Sequence, residues 1–197
     1  MGASRDPALV KQTAKITATE TRATGIPWVF AACVCVAQDD RWGRTYESYS
    51  EDPALVTDMT TVFQGLQGDG KLTRNTSVLA TAKHFIGDGG TKYGSSTTGN
   101  YKIDQGISYL SPQMLKQLIE PYKAAIKDGV GTVMPSYSSL QIQGQDSAPV
   151  KMHARKDMIT GLLKQKLGFQ GFVISDYAAI DQIPGDYTSD ILSLIHI

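Results

Sequence analysis

Apolar positions along this chain recur in two rhythms that take turns. Residues 7–23, "PALVKQTAKITATETRA", carry apolar side chains at three- and four-residue intervals, the spacing of a helix with one buried face. The next stretch, "IPWVFAACVCV" (26–36), is apolar throughout and reads as a fully buried strand. Helical spacing returns over 52–68, with Pro53 suited to a first turn, and a short strand follows over 77–83. A helix over 111–129 opens on a Ser N-cap with proline behind it and stops at Gly129; residues 130–136 form the strand after it. The last pair is a helix over 153–168, closed by Gly168, and a strand over 171–176. One long loop, 85–110, is rich in Gly, Ser and Thr, and no repeat or low-complexity linker appears.

Strands that are apolar throughout and alternate with helices predict a parallel sheet covered by helices. An open dinucleotide-binding sheet would show G-x-G-x-x-G after its first strand, and none is present. "GLQGDGKL" (65–72) has phosphate-loop glycine and lysine spacing, but it follows a helix, and Leu72 stands where a magnesium-holding hydroxyl belongs. It reads as a helix-terminating glycine loop. Polar clusters follow the strands instead: "AQDDRWGRTYESYSED", "KHFIGDGGT", "SYSS" and "DYAAID". Barrel enzymes keep their sites at the C-terminal ends of their strands, so the fold class expected is α/β, a partial (β/α)8 TIM-type barrel.

Composition narrows the picture. The 197 residues are 41% hydrophobic and 19% charged, which is globular, and 19 basic against 19 acidic side chains leave no basic face for nucleic acid. No run approaches the ~20 apolar residues of a membrane span, so no membrane partner is expected, and "MGASRDPALVKQ" lacks a signal-peptide pattern. Cys33 and Cys35 are the only cysteines. Two apart on one strand, they make poor disulfide geometry, and without a second ligand pair they read as buried, inert thiols and not as a zinc site. "NTS" at Asn75 fits a glycosylation acceptor.

The candidate chemistry starts at Asp176, an acid delivered where the apolar run Phe172, Val173, Ile174 stops. Such a group is costly unless it is paired or has chemistry to do. Lys83 and His84 stand at another strand end with Asp88 and glycines behind them; as strand neighbours, they reach one site only if the strand is distorted. Arg41 and Arg44 flank Trp42, a guanidinium and a ring suited to sugar hydroxyls and a sugar's apolar face, although Arg44 could simply pair with Glu47 or Glu51. His153 begins a helix and reads as a cap. No metal motif and no G-x-S-x-G is present. Lys83 as a Schiff-base lysine and Asp176 as the nucleophile of sugar chemistry both fit, and spacing does not separate them.

"DDRWGRTYESYSEDP", "AKHFIGDGGT", "TVMPSYSS" and "LGFQGFVISDYAAIDQI" together resemble the successive signatures of glycoside hydrolase family 3, in its β-glucosidase and exo-glucanase branch. The likeness runs from about residue 2 to 191. It implies retaining, exo-acting hydrolysis of β-glucosides or β-glucan at the non-reducing end, with no cofactor and no metal. Asp176 matches the nucleophile; Lys83 and His84 match the pair that binds the terminal glucose, and Arg44 the sugar-binding arginine. Tyr137 lines the same pocket in relatives, with Met134 nearby on its strand. Tyr177 stands where Trp is usual, a change to the sugar platform. "KHFIGDGG" in place of "KHFPGHG", without an Asp-Ser-His loop, disfavours the N-acetylglucosaminidase branch.

The resemblance also implies missing parts. Relatives have an earlier strand with a sugar-gripping aspartate, and a general-acid glutamate in a C-terminal α/β domain. Residues 1–191 are therefore expected to be an incomplete barrel domain with about half its strands, and 192–197, "LSLIHI", a tail without family likeness. The isolated chain is expected to be inactive, and an extracellular or periplasmic place follows only for a full-length parent. The rival readings are a non-catalytic carbohydrate-binding remnant and a Schiff-base lyase at Lys83.

Overall fold

The computed structural model describes residues 1–68, 72, 75–96 and 105–183. The expected tail and the middle of the glycine loop at 65–72 lie outside these residues. Helix α1 (Pro7–Ala23) starts where Asp6 accepts hydrogen bonds from the amides of Ala8 and Leu9, with Pro7 at its first position. The helix expected over 52–68 is two: α2 (Pro53–Asp58) and α3 (Thr61–Gln67), broken at Met59 and Thr60. Helix α4 (Pro112–Lys127) has the Ser111 cap, whose hydroxyl accepts from the Met114 amide, and the chain leaves it through Gly129 at φ 80°. The last helix, Asp157–Lys166, has π geometry and follows a short turn at Met152–Ala154.

Two small sheets hold the strands. In the first, β1 (Thr81–Phe85), β3 (Thr132–Pro135) and β6 (Phe172–Val173) run parallel in the order β1-β3-β6. The apolar run before them extends this sheet as an irregular first strand. The Val29 and Val34 amides donate to the carbonyls of Leu79 and Lys83, the Thr81 amide donates to Ala31, and parallel bridges join Trp28 to Leu79 and Cys33 to Lys83. Four parallel chain segments in sequence order, with helices between them, are consistent with a partial barrel. The second sheet lay outside the expected pattern: β2 (Ile107–Leu110) pairs parallel with β4 (Ser139–Ile142), which pairs antiparallel with β5 (Val150–Lys151).

One face of the first sheet carries Val34, Ala80, Ala82 and Val133 into a core shared with Val10, Ala14 and Ala18 of α1, Phe63 and Leu66 of α3, and Tyr122 of α4. Buried Gln67 ties α3 to the sheet: its amide donates to the Gly129 carbonyl, and its oxygen accepts from the amides of Ala80 and Gly131. The opposite face carries Trp28, whose indole N–H donates to Thr81 and whose ring meets Phe30 and Phe172 edge-on. Phe172, expected to be buried, is 47% exposed because it lies on this face, away from the helices.

The cysteines correct a second expectation. Both are buried, but they are joined as a disulfide with Cα atoms 5.4 Å apart. An ideal strand spaces such positions about 6.6 Å apart. This segment holds only isolated bridges, so it can pucker into the disulfide window.

Candidate active site

Four elements converge at the C-terminal ends of the first sheet's strands. The loop after the irregular first strand is anchored by Trp42, buried against Cys33, Cys35 and Ala37, and leads into a turn at Thr45–Glu47 that presents Arg44 and Glu47 three residues apart. Strand β1 supplies Lys83 and His84. The distortion needed for both neighbours to reach one site is present: the β1–β3 register shifts between Lys83 and Phe85. Met134 on β3 pairs directly with Lys83 and is buried. Asp176 comes two residues after Ile174, whose amide donates to Val133.

The side chains form a continuous polar chain. Arg44 donates from Nε and Nη2 to the two oxygens of Glu47, at 2.8 and 3.1 Å, and from Nη2 to His84 Nε2 at 3.0 Å. The forked pairing holds the Glu47 carboxyl below its usual range. Lys83 Nζ lies 3.8 Å from the same Glu47 oxygen, and burial lowers the pKa of its ammonium, partly opposed by Glu47. Arginine only donates, so His84 Nε2 is the accepting nitrogen, and Nδ1 carries the proton donated to Asp88 at 2.8 Å.

Asp176 ends this chain. Its Oδ1 accepts from the Tyr177 amide at 2.7 Å. Its Oδ2 is buried, has no hydrogen-bond partner among the described residues, and lies 3.5 Å from His84 Nε2. One carboxylate oxygen is thus held by the backbone and the other is left free beside the sheet's basic groups.

His153 has a different place from the cap expected of it. It is buried beneath Asp176, and its Nε2 accepts from the Asp176 amide at 3.2 Å. Burial pushes its pKa down to about 4, against the pull of the Asp176 charge. Tyr137 donates from its hydroxyl to the Tyr177 carbonyl, so it clamps the turn after Asp176. Tyr177 is 87% exposed, and its amide and carbonyl make the contacts to Asp176 and Tyr137. Sequence reasoning placed Arg44, Lys83, His84 and Asp176 together. The Arg44–Glu47 pairing that the sequence allowed is present and lies within the site, whereas nothing in the sequence marked His153 as part of it.

The glycosyl hydrolase family 3 N-terminal domain matches residues 1–190. The chain belongs to that family. It is 39% identical over 176 residues to a beta-xylosidase of Formosa agariphila, covering 87% of this chain and 22% of that protein. It is 32% identical over 181 residues to beta-glucosidase C of Emericella nidulans, covering 91% of this chain and 28% of that protein. Among solved structures, an exo-1,3/1,4-beta-glucanase from a Pseudoalteromonas species superposes with a TM-score of 0.80 at 40% identity, over 92% of this family 3 chain and 21% of that one. A beta-glucosidase from Listeria innocua, solved in complex with glucose, superposes at 0.78 with 27% identity, over 91% and 23%. The chain therefore spans between a fifth and a third of these relatives.

Proposed function

We propose that this chain is the nucleophile-bearing part of a retaining, exo-acting β-glucosidase or β-glucan glucohydrolase, with Asp176 as nucleophile. The observation that carries this reading is the buried, unpartnered Oδ2 of Asp176, whose other oxygen is fixed by the Tyr177 amide. An oxygen so held attacks the anomeric carbon without first giving up a hydrogen bond. The bond to the aglycone oxygen breaks as the Asp176 ester forms, and a carboxylic acid supplied from outside this chain protonates the leaving oxygen. Water then opens the ester and retains the β configuration. Arg44, Lys83 and His84 bind hydroxyls of the terminal sugar, and Met134 supports that wall beside Lys83.

The test uses the full-length protein that contains this chain. A 2-deoxy-2-fluoro-β-glucosyl fluoride is expected to trap an ester on Asp176, located by peptide mass spectrometry, and Asp176→Ala is expected to lose turnover of both aryl β-glucosides and aryl β-xylosides. A label on another carboxylate, or retained turnover in the variant, would overturn the assignment. Borohydride trapping of substrate on Lys83 would instead support the lyase, and sugar binding without either adduct the binding remnant.

A further inference from the structure

Behind the sugar-facing side of His84 lies a second cluster, which shares His84 with the proposed sugar site and otherwise consists of residues the proposed hydrolysis does not use. Cys33, Cys35, His84 and Asp88 are all buried, and one donor atom from each lies within 4.8 Å of all the others. Cys35 Sγ is 3.0 Å from Asp88 Oδ2 and 3.9 Å from His84 Nδ1, and those two atoms are 2.8 Å apart. A disulfide sulfur has no proton, so the first of these is a close contact and not a donated bond. Ligand bonds of about 2.0–2.3 Å in a tetrahedron put neighbouring donors about 3.3–3.8 Å apart, so small shifts would suffice.

The charge balance of the cluster points the same way. Asp88 is 3% exposed, and its Oδ2 takes one hydrogen bond, from the imidazole of His84. Its Oδ1 is buried without a hydrogen-bond partner, and no lysine or arginine is within ion-pair distance among the described residues. A buried carboxylate with so little around it calls for a cation. The Cys–x–Cys spacing on a puckered strand brings two sulfurs to the same place.

We propose that, in its dithiol form, this chain holds a zinc-class divalent cation between Cys33 Sγ, Cys35 Sγ, His84 Nδ1 and Asp88 Oδ2. The disulfide and the metal are alternative occupants of one site. Exchange with a small disulfide oxidises the two thiols: the Cys33–Cys35 bond forms, the reagent's S–S bond breaks, and its two sulfurs leave as thiols carrying the protons. In the dithiol form the cation displaces both thiol protons and the Nδ1 proton. Its two charges are shared among the two thiolates and Asp88, so the cluster keeps one net negative charge and the carboxylate gains a bonded cation. Metal on Nδ1 moves the remaining imidazole N–H of neutral His84 to Nε2. Arg44 then loses the His84 acceptor and keeps Glu47, and Asp176 Oδ2, 3.5 Å from Nε2, gains a donor.

The test is spectroscopic and stands apart from the hydrolase reading. Full-length protein is expressed and purified under reducing, oxygen-free conditions, its thiols are counted, and cadmium is titrated while the ultraviolet thiolate-to-cadmium charge-transfer band is followed. The expected result is one tightly bound equivalent with that band in the reduced protein and none after reoxidation. Asp88→Asn is expected to weaken binding at least about tenfold with both thiols still countable, and Cys35→Ser to abolish the band. A reduced wild-type protein with both thiols free and no band would overturn the proposal. So would a band whose affinity ignores Asp88→Asn, which would mean adventitious thiol binding. The reduced and oxidised wild-type comparison decides even where a variant fails to fold.

Discussion

At the residue scale, Glu47 decides how the basic groups of the site are presented. It takes both forks of Arg44 and stands beside Lys83, so it aims one cation and offsets two. Hydrogen bonds to charged groups are worth about 1.5–3 kcal/mol, a factor of roughly ten to a hundred. Glu47→Gln is therefore expected to lower kcat/KM of the full-length enzyme within that range, through a raised KM more than a lowered kcat, in steady-state assays on an aryl β-glucoside. His153 makes a prediction about pH. Its folded pKa of about 4 lies below its unfolded value, so between roughly 6.5 and 4 the unfolded chain binds the proton that the folded one refuses. Stability is present above that window and is lost as pH falls through it, on the order of 3 kcal/mol in all. His153→Gln keeps an acceptor for the Asp176 amide without a titrating ring. The thermal-unfolding gap between wild type and this variant is expected to shift in the variant's favour by that amount from pH 7 to pH 4. A gap independent of pH would remove this role for His153.

At the scale of elements, caps and close approaches set the frame behind the site. Helices α1 and α3 pack at Gly65, where an added Cβ would run into the Lys11 carbonyl and the Ala14 methyl. Backbone cannot yield as a flexible side chain does, so Gly65→Ala is expected to cost about 1–3 kcal/mol, seen as a lowered unfolding midpoint, with KM unchanged because the contact is remote from Asp176. The start of α4 was legible because its signal is local: Ser111 caps the helix and Pro112 opens it. The break at Met59 and Thr60 was not, since nothing in the helical spacing over 52–68 marks it. Strands β2, β4 and β5 went unread because each is short and exists by pairing with a distant partner.

At the scale of the molecule, the described residues cover one face of the first sheet with helices and not the other. Phe30 and Phe172 are about half exposed beside Trp28, and β6 has one paired neighbour among the described residues. In a closed barrel that face is packed interior. The 197-residue chain purified alone is expected to hydrolyse no aryl β-glucoside and to self-associate through this face and edge, measured by light scattering. Turnover by the chain alone that disappeared in Asp176→Ala would refute this expectation.

The sequence by itself determined the alternation of helix and strand, the Ser111 cap that starts α4, and the residue types gathered at the strand ends. These depend on periodicity and on neighbours a few positions apart. Only the tertiary structure decided that Arg44 holds Glu47 and His84 together, that His153 lies under Asp176, and that Cys33 and Cys35 are bonded. Those contacts depend on a register shift in β1 and a pucker in the strand before it, and such distortions come from packing across the sheet, which no local run of residues encodes.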